Sequence, residues 1–167
     1  TASASATVTD VGDGGGSWLY YGRLAVLANN TFYRNANATF AGVTGSGSGL
    51  YYDSAGGSPL PSFVNNIIAG HDVANSDGLG FYSKNAMTIS YSCFHGNAGG
   101  NYSANVTSTN EELGDPMLVD PAGGDFSLSY NSSCIEEGDP TYAVPENGGW
   151  VVDIGAIEYT GTRHWRP

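Results

Sequence analysis

Leu27-Ala28-Asn29-Asn30-Thr31-Phe32-Tyr33-Arg34-Asn35, then Phe63-Val64-Asn65-Asn66-Ile67-Ile68-Ala69-Gly70-His71, then Ile89-Ser90-Tyr91-Ser92-Cys93-Phe94-His95-Gly96-Asn97, state one pattern three times. Recurrence of this kind marks a stacked, repetitive architecture. Superimposed on Asn30, Asn66 and Ser92, the copies place Leu27, Phe63 and Ile89 in one apolar column and Phe32, Ile68 and Phe94 in a second. Asn35, His71 and Asn97 make a third column, of hydrogen-bonding side chains. Equivalent residues of paired strands lie about 4.8 Å apart. A column of Asn can therefore donate and accept between copies while tolerating a left-handed turn. Asn30, Asn66 and Ser92 are expected to form one such ladder, and Asn35, His71 and Asn97 another. His71 is read as a rung, not a catalyst.

Outward from each copy the chain shows further short apolar runs bounded by Gly, Ser and Asn, at 18–21 and 24–27, at 50–52 and 61–64, and at 79–82 and 87–89. Eleven Tyr, six Phe and three Trp against two Met favour strands over helices, and no window keeps a helical period. An apolar fraction of 40% argues against disorder, and 167 residues suffice for one domain with a core. The fold class expected from the residues is all-β.

The turns Asn29-Asn30-Thr31-Phe32 and Asn65-Asn66-Ile67-Ile68 resemble those of right-handed parallel β-helix repeat proteins of the bacterial cell surface. Gly114-Asp115-Pro116-Met117-Leu118-Val119-Asp120-Pro121, Gly124-Asp125-Phe126-Ser127-Leu128, Gly138-Asp139 and Asp153-Ile154-Gly155-Ala156-Ile157-Glu158 are similar to the choice-of-anchor Q end module of secreted members. The resemblance covers roughly residues 24–159. It implies a short right-handed parallel β-helix, or β-solenoid, with a C-terminal capping module. The organisation expected is an extended arm over 1–16, coils over 17–109, an end module over 110–160 and a tail over 161–167.

Sixteen acidic and five basic residues give a net charge of -11, which repels nucleic acid and anionic lipid. No apolar run approaches the length of a membrane span. The start Thr1-Ala2-Ser3-Ala4-Ser5-Ala6 has no initiator Met, as in a processed N-terminus or an excised piece.

A polysaccharide lyase needs a basic residue beside clustered carboxylates, and a glycosidase needs a carboxylate pair. Five Lys and Arg in total, and Asp53, Asp72 and Asp77 at different phases of the repeat, provide neither. No enzyme activity and no cofactor are expected. Asp115, Asp120, Asp125, Asp139, Asp153 and Glu158 follow Gly or precede Pro in several places and are read as turn formers rather than calcium ligands. His71, His95 and His164, with Cys93 and Cys134, lack zinc spacing.

Two alternatives stand for the cysteines. A Cys93–Cys134 disulfide would close a loop of about 40 residues and contribute roughly 3 to 4 kcal/mol; otherwise both are buried apolar thiols. Asn29, Asn37, Asn101, Asn105 and Asn131 open Asn-X-Ser/Thr sequons. With low charge and high Ser/Thr content they favour an extracellular or cell-surface location and glycosylation. Outward aromatics among Trp18, Tyr20, Tyr21, Tyr51, Tyr52, Phe81 and Tyr82 either form a Tyr ladder or offer a sugar-binding face.

A short stack has two ends that invite pairing. The expected partner is a second copy joined end to end, or a longer β-helix upstream, with the strand Ala6-Thr7-Val8-Thr9 lent in trans. Glycans are the other partner considered. The function expected is that of a non-catalytic structural or adhesive protein, a self-assembling filament subunit. The rival class is a carbohydrate-binding or polysaccharide-degrading β-helix module.

Overall fold

The structure is a computed structural model, and it describes residues 17–20, 26–35, 49–53, 60–71, 79–146 and 148–161. The arm strand Ala6-Thr7-Val8-Thr9, the sequon at Asn37, the acids Asp72 and Asp77 and the tail beyond residue 161 lie outside those residues. The protein is all-β: twelve strands of three or four residues and no helix among the described residues.

β1 (Ser17–Tyr20), β4 (Leu50–Asp53) and β7 (Phe81–Ser83) pair in parallel as one sheet. β2 (Val26–Ala28), β5 (Ser62–Val64), β8 (Met87–Ser90) and β10 (Val106–Thr109) form a second parallel sheet. β3 (Thr31–Tyr33), β6 (Ile67–Ala69) and β9 (Cys93–His95) form a third. The chain thus visits the three sheets in the same order three times. A fourth, abbreviated triplet follows: Tyr102 bridges Phe81, β10 pairs with β8, and Glu112 bridges Cys93. The boundary expected at 109/110 falls inside this triplet. β11 (Leu118–Asp120) and β12 (Asp125–Leu128) are an antiparallel pair beyond it.

The strands are short because a left-handed residue ends them. Asn29, Asn65, Tyr91 and Asn110, with φ of 56°, 56°, 45° and 51°, separate the second sheet from the third. Arg34, Gly70 and Gly96, at 51°, 70° and 63°, end the third-sheet strands. Asn and Gly reach this conformation at least cost. The left-handed residue stands one position before each ladder residue, a correction to the expectation that the ladder residue itself adopts it.

Register places Leu27 beside Phe63 and Phe63 beside Ile89, and Phe32 beside Ile68 and Ile68 beside Phe94, as the columns predict. These side chains meet Leu50, Tyr52, Phe81, Met87 and Val106 between the three sheets. Each such burial contributes about 1.5 to 3 kcal/mol. A second cluster lies on the far side of the third sheet, where Ile67, Ala69 and Cys93 meet Leu128, Cys134, Ile135 and Ile154. Ile67 and Ile68 of β6, like Cys93 and Phe94 of β9, therefore put apolar side chains on both faces, as doubly covered strands require. The C-terminal segment is expected over the end of the stack; its contacts run along the flank of the third sheet instead. Ala156 N–H donates to Thr31 Oγ1 at 3.2 Å, Gly155 N–H to Asn65 O at 2.9 Å, and Cys134 packs in the same cluster as Cys93.

Candidate functional site

Both polar ladders are present, and they run through backbone amides as much as through side chains. Asn66 Oδ1 accepts from Asn30 N–H at 3.1 Å and from Asn30 Nδ2 at 3.0 Å, and Asn66 N–H donates to Ser92 Oγ at 3.2 Å. Asn66 Nδ2 in turn donates to Leu27 O and Val64 O, each at 3.0 Å. In the other ladder Asn35 N–H donates to His71 Nδ1 at 3.0 Å and His71 N–H to Asn97 Oδ1 at 3.3 Å. His71 Nδ1 faces both the N–H and the carbonyl oxygen of Asn35, at 3.0 and 3.2 Å. His71 is fully buried between its rungs.

The turn amides share one direction: the side-chain acceptor of one triplet, an oxygen or the His71 Nδ1, takes the turn amide of the triplet before it. Asn30 is the first rung, and its Oδ1 is the acceptor that a further triplet would use. The apolar columns end in the same place. Leu19, Leu27 and Phe32 are only partly buried, whereas Tyr52, Phe63 and Ile68, their counterparts in the next triplet, are buried. Among the described residues β1, β2 and β3 are each the outer strand of their sheet, and the core side chains Leu19, Leu27 and Phe32 lie in that outer layer.

Of the two alternatives for the aromatics, the Tyr ladder is the one seen between Tyr51 and Tyr82. Tyr52 and Phe81 point inward and pack against Phe63, with ring centroids 5.9 and 5.2 Å away. Tyr51 and Tyr82 stack at 5.3 Å with planes 8° apart, but Tyr51 is 3% exposed. Lys84 Nζ sits 5.7 Å from the Tyr51 ring centroid and 2.8 Å from Asp53 Oδ2. The hydrogen bond to Asp53 holds Lys84 above its ordinary range. The pair is a Tyr ladder that stabilises its sheet, with Tyr51 covered and Tyr82 half-buried.

Asp115, Asp120, Asp125, Asp139, Asp153 and Glu158 all accept backbone amides. Asp115, Asp120, Asp125 and Asp139 take the N–H of Met117, Gly123, Ser127 and Thr141 at 2.8 to 3.0 Å. The bonds from Ser127 hold Asp125 below the usual carboxylate range. Asp153 takes Glu136 N–H at 2.7 Å and Tyr159 N–H at 2.6 Å, and Glu158 Oε2 takes Asp153 N–H at 3.1 Å. Among the described residues no three His, Cys, Asp or Glu side chains are grouped to hold a metal ion.

A cleft of about 320 Å³ opens between the third sheet and the Gly114–Pro121 stretch, lined by Tyr33, Gly70, His95, Asp115, Met117 and Leu118. Tyr33 is held edge-on by Phe126, with centroids 6.3 Å apart. Met117 is left-handed at φ 46°, an uncommon conformation for that side chain, fixed by the Asp115 bond. Sequence reasoning did not find this cleft, because its walls come from strands and a loop far apart in the chain.

Of the sequons, Asn29, Asn105 and Asn131 are exposed. Asn105 Nδ2 donates to Ser83 O and Lys84 O at 3.2 and 3.0 Å, and Asn101 is half-buried. Cys93 and Cys134 are free thiols, brought together in the flank cluster. No helix among the described residues is long and apolar enough to cross a membrane. No family model, curated protein or solved structure matches the chain.

Proposed function

We propose that the strand triplets are coils of a short right-handed parallel β-helix, and that the protein is a non-catalytic structural or adhesive subunit that associates end to end. The observation carrying this reading is the layer of β1, β2 and β3, which among the described residues is the outer one of each sheet. Its core residues Leu19, Leu27 and Phe32 are only partly buried, and Asn30 stands there as the first rung of its ladder. Such an outer layer is completed by a parallel strand layer that adds one rung to each column. Stacking that does not close on itself builds a filament. An extracellular or cell-surface setting and glycans on Asn29 and Asn131 accord with the low charge and with the exposure of both side chains.

Sedimentation across a wide concentration range, with electron microscopy of the same material, tests the assembly. Association is expected, and Leu27→Lys with Phe32→Lys is expected to abolish it while leaving the strand signal in circular dichroism. A protein that stays monomeric at the highest concentration defeats the reading.

A second reading, a carbohydrate-binding module, rests on the cleft beside Tyr33, His95 and Asp115, where a ring wall and polar side chains converge. Titration with neutral and acidic oligosaccharides, with Tyr33→Ala as control, separates the two. The β-helix analogy alone gives it no weight.

A further inference from the structure

We propose that Cys93 and Cys134 are a disulfide site that fastens the C-terminal segment to the flank of the third sheet. Strand β9 presents Cys93 on the outer face, in register with Ile67. Cys134 arrives from the turn after β12, positioned by its N–H bond to Ser132 Oγ at 3.1 Å and by its carbonyl, which accepts Ile154 N–H at 2.9 Å. Both residues are 0% exposed and share one apolar cluster with Ile67, Ile135 and Ile154. The Cys93 thiol donates to Gly114 O at 3.5 Å. Two buried cysteines in one apolar cluster, each positioned by backbone hydrogen bonds, are placed together as a disulfide site requires. The inference is independent of the coil reading.

The chemistry is thiol–disulfide exchange with an external low-molecular-weight or protein disulfide. One cysteine loses its proton and attacks the external disulfide, forming a mixed disulfide and expelling one thiol. The second cysteine loses its proton, attacks the protein sulfur of that intermediate and expels the other thiol. Two protein thiols thereby give up two electrons and two protons, and the external disulfide becomes two thiols. The Cys134 hydrogen bond, then burial, holds the Cys93 thiol far above the ordinary thiol range. Thiolate is the reacting form. The closed protein therefore exchanges slowly, and the bond forms while the segment is lifted, as in folding. Once closed, burial shields it from reductant.

The full chain, unfolded and refolded in a mixture of oxidised and reduced glutathione, is alkylated without reduction and mapped by mass spectrometry. A loss of two hydrogens and a linked Cys93–Cys134 peptide are expected. Amide exchange over residues 128–159 should then be at least about tenfold slower than in reduced protein. The double variant Cys93→Ala with Cys134→Ala keeps the site apolar and should exchange alike in both buffers. Two thiols left free, separate glutathione adducts, intermolecular links, or a linked protein whose flank exchanges faster than the reduced form would each overturn the proposal.

Discussion

Asn65 Oδ1 accepts the backbone N–H of Asp139 at 2.8 Å, joining the turn between β5 and β6 to a residue 74 positions later. The same Asn65 is left-handed, fully buried, and offers its carbonyl to Gly155 N–H at 2.9 Å. One side chain therefore shapes a turn and holds the C-terminal segment. Gly138 completes the fit, since a Cβ there would stand 2.5 Å from Val152 O. Asn65→Ala removes the acceptor and adds left-handed strain, an expected loss of about 2 to 3 kcal/mol. Asn65→Gly removes only the acceptor and should cost less. Denaturant titration measures both, and amide exchange over residues 138–155 should rise first. Equal losses in the two variants would show that the left-handed strain is not what matters and that the lost contact with Asp139 carries the whole cost.

Tyr91 occupies the position held by Asn65 in the preceding triplet and Asn110 in the following one, with φ 45°. A bulky side chain pays more for that backbone than Asn does. Tyr91→Asn is therefore expected to stabilise the protein by about 1 kcal/mol. A rise in the denaturation midpoint with an unchanged slope is the signature. A lower midpoint would mean that the half-buried ring contributes more by packing than the turn loses by strain.

The hydroxyl of Tyr52 lies in the apolar core with no hydrogen-bond partner among the described residues. An unsatisfied buried hydroxyl costs about 1 to 3 kcal/mol. Tyr52→Phe keeps the ring against Phe63 and should raise stability by about 1 kcal/mol. Phe63→Ala, in the same cluster, should lower it by about 3 to 5 kcal/mol. Thermal unfolding of the pair decides whether the core is apolar throughout.

The apolar columns and both ladders were legible because parallel pairing turns sequence spacing directly into register. Leu27, Phe63 and Ile89 could be aligned by eye. The fourth triplet was harder to see, since Val106-Thr107-Ser108-Thr109-Asn110 keeps the turn Asn but replaces the ladder amide with Glu111. The flank docking of residues 114–161 depends on contacts between segments far apart in the chain, which no local pattern encodes. A signal existed in Ile67-Ile68-Ala69, apolar at every position where a strand with one wet face alternates. The burial of Tyr51 likewise could not follow from alternation, which gives the face a side chain takes but not what covers it.

Glu158 is where the C-terminal segment should sense pH. Its Oε2 accepts Asp153 N–H at 3.1 Å, and burial, with the nearby charges of Asp153 and Glu136, raises its pKa above the ordinary 4.5. A carboxyl raised on folding is favoured in its protonated form. Its contribution to stability is fully present below pH 4.5 and is lost as pH climbs through the folded-state value. Glu158→Gln mimics the protonated state and can still accept from Asp153 N–H. Its melting temperature relative to the wild type should therefore improve progressively from pH 4 to pH 7. The difference is expected to be smallest at the acid end. A difference that stays constant across that range, or one that shrinks as pH rises, would place the governing charge elsewhere than on Glu158.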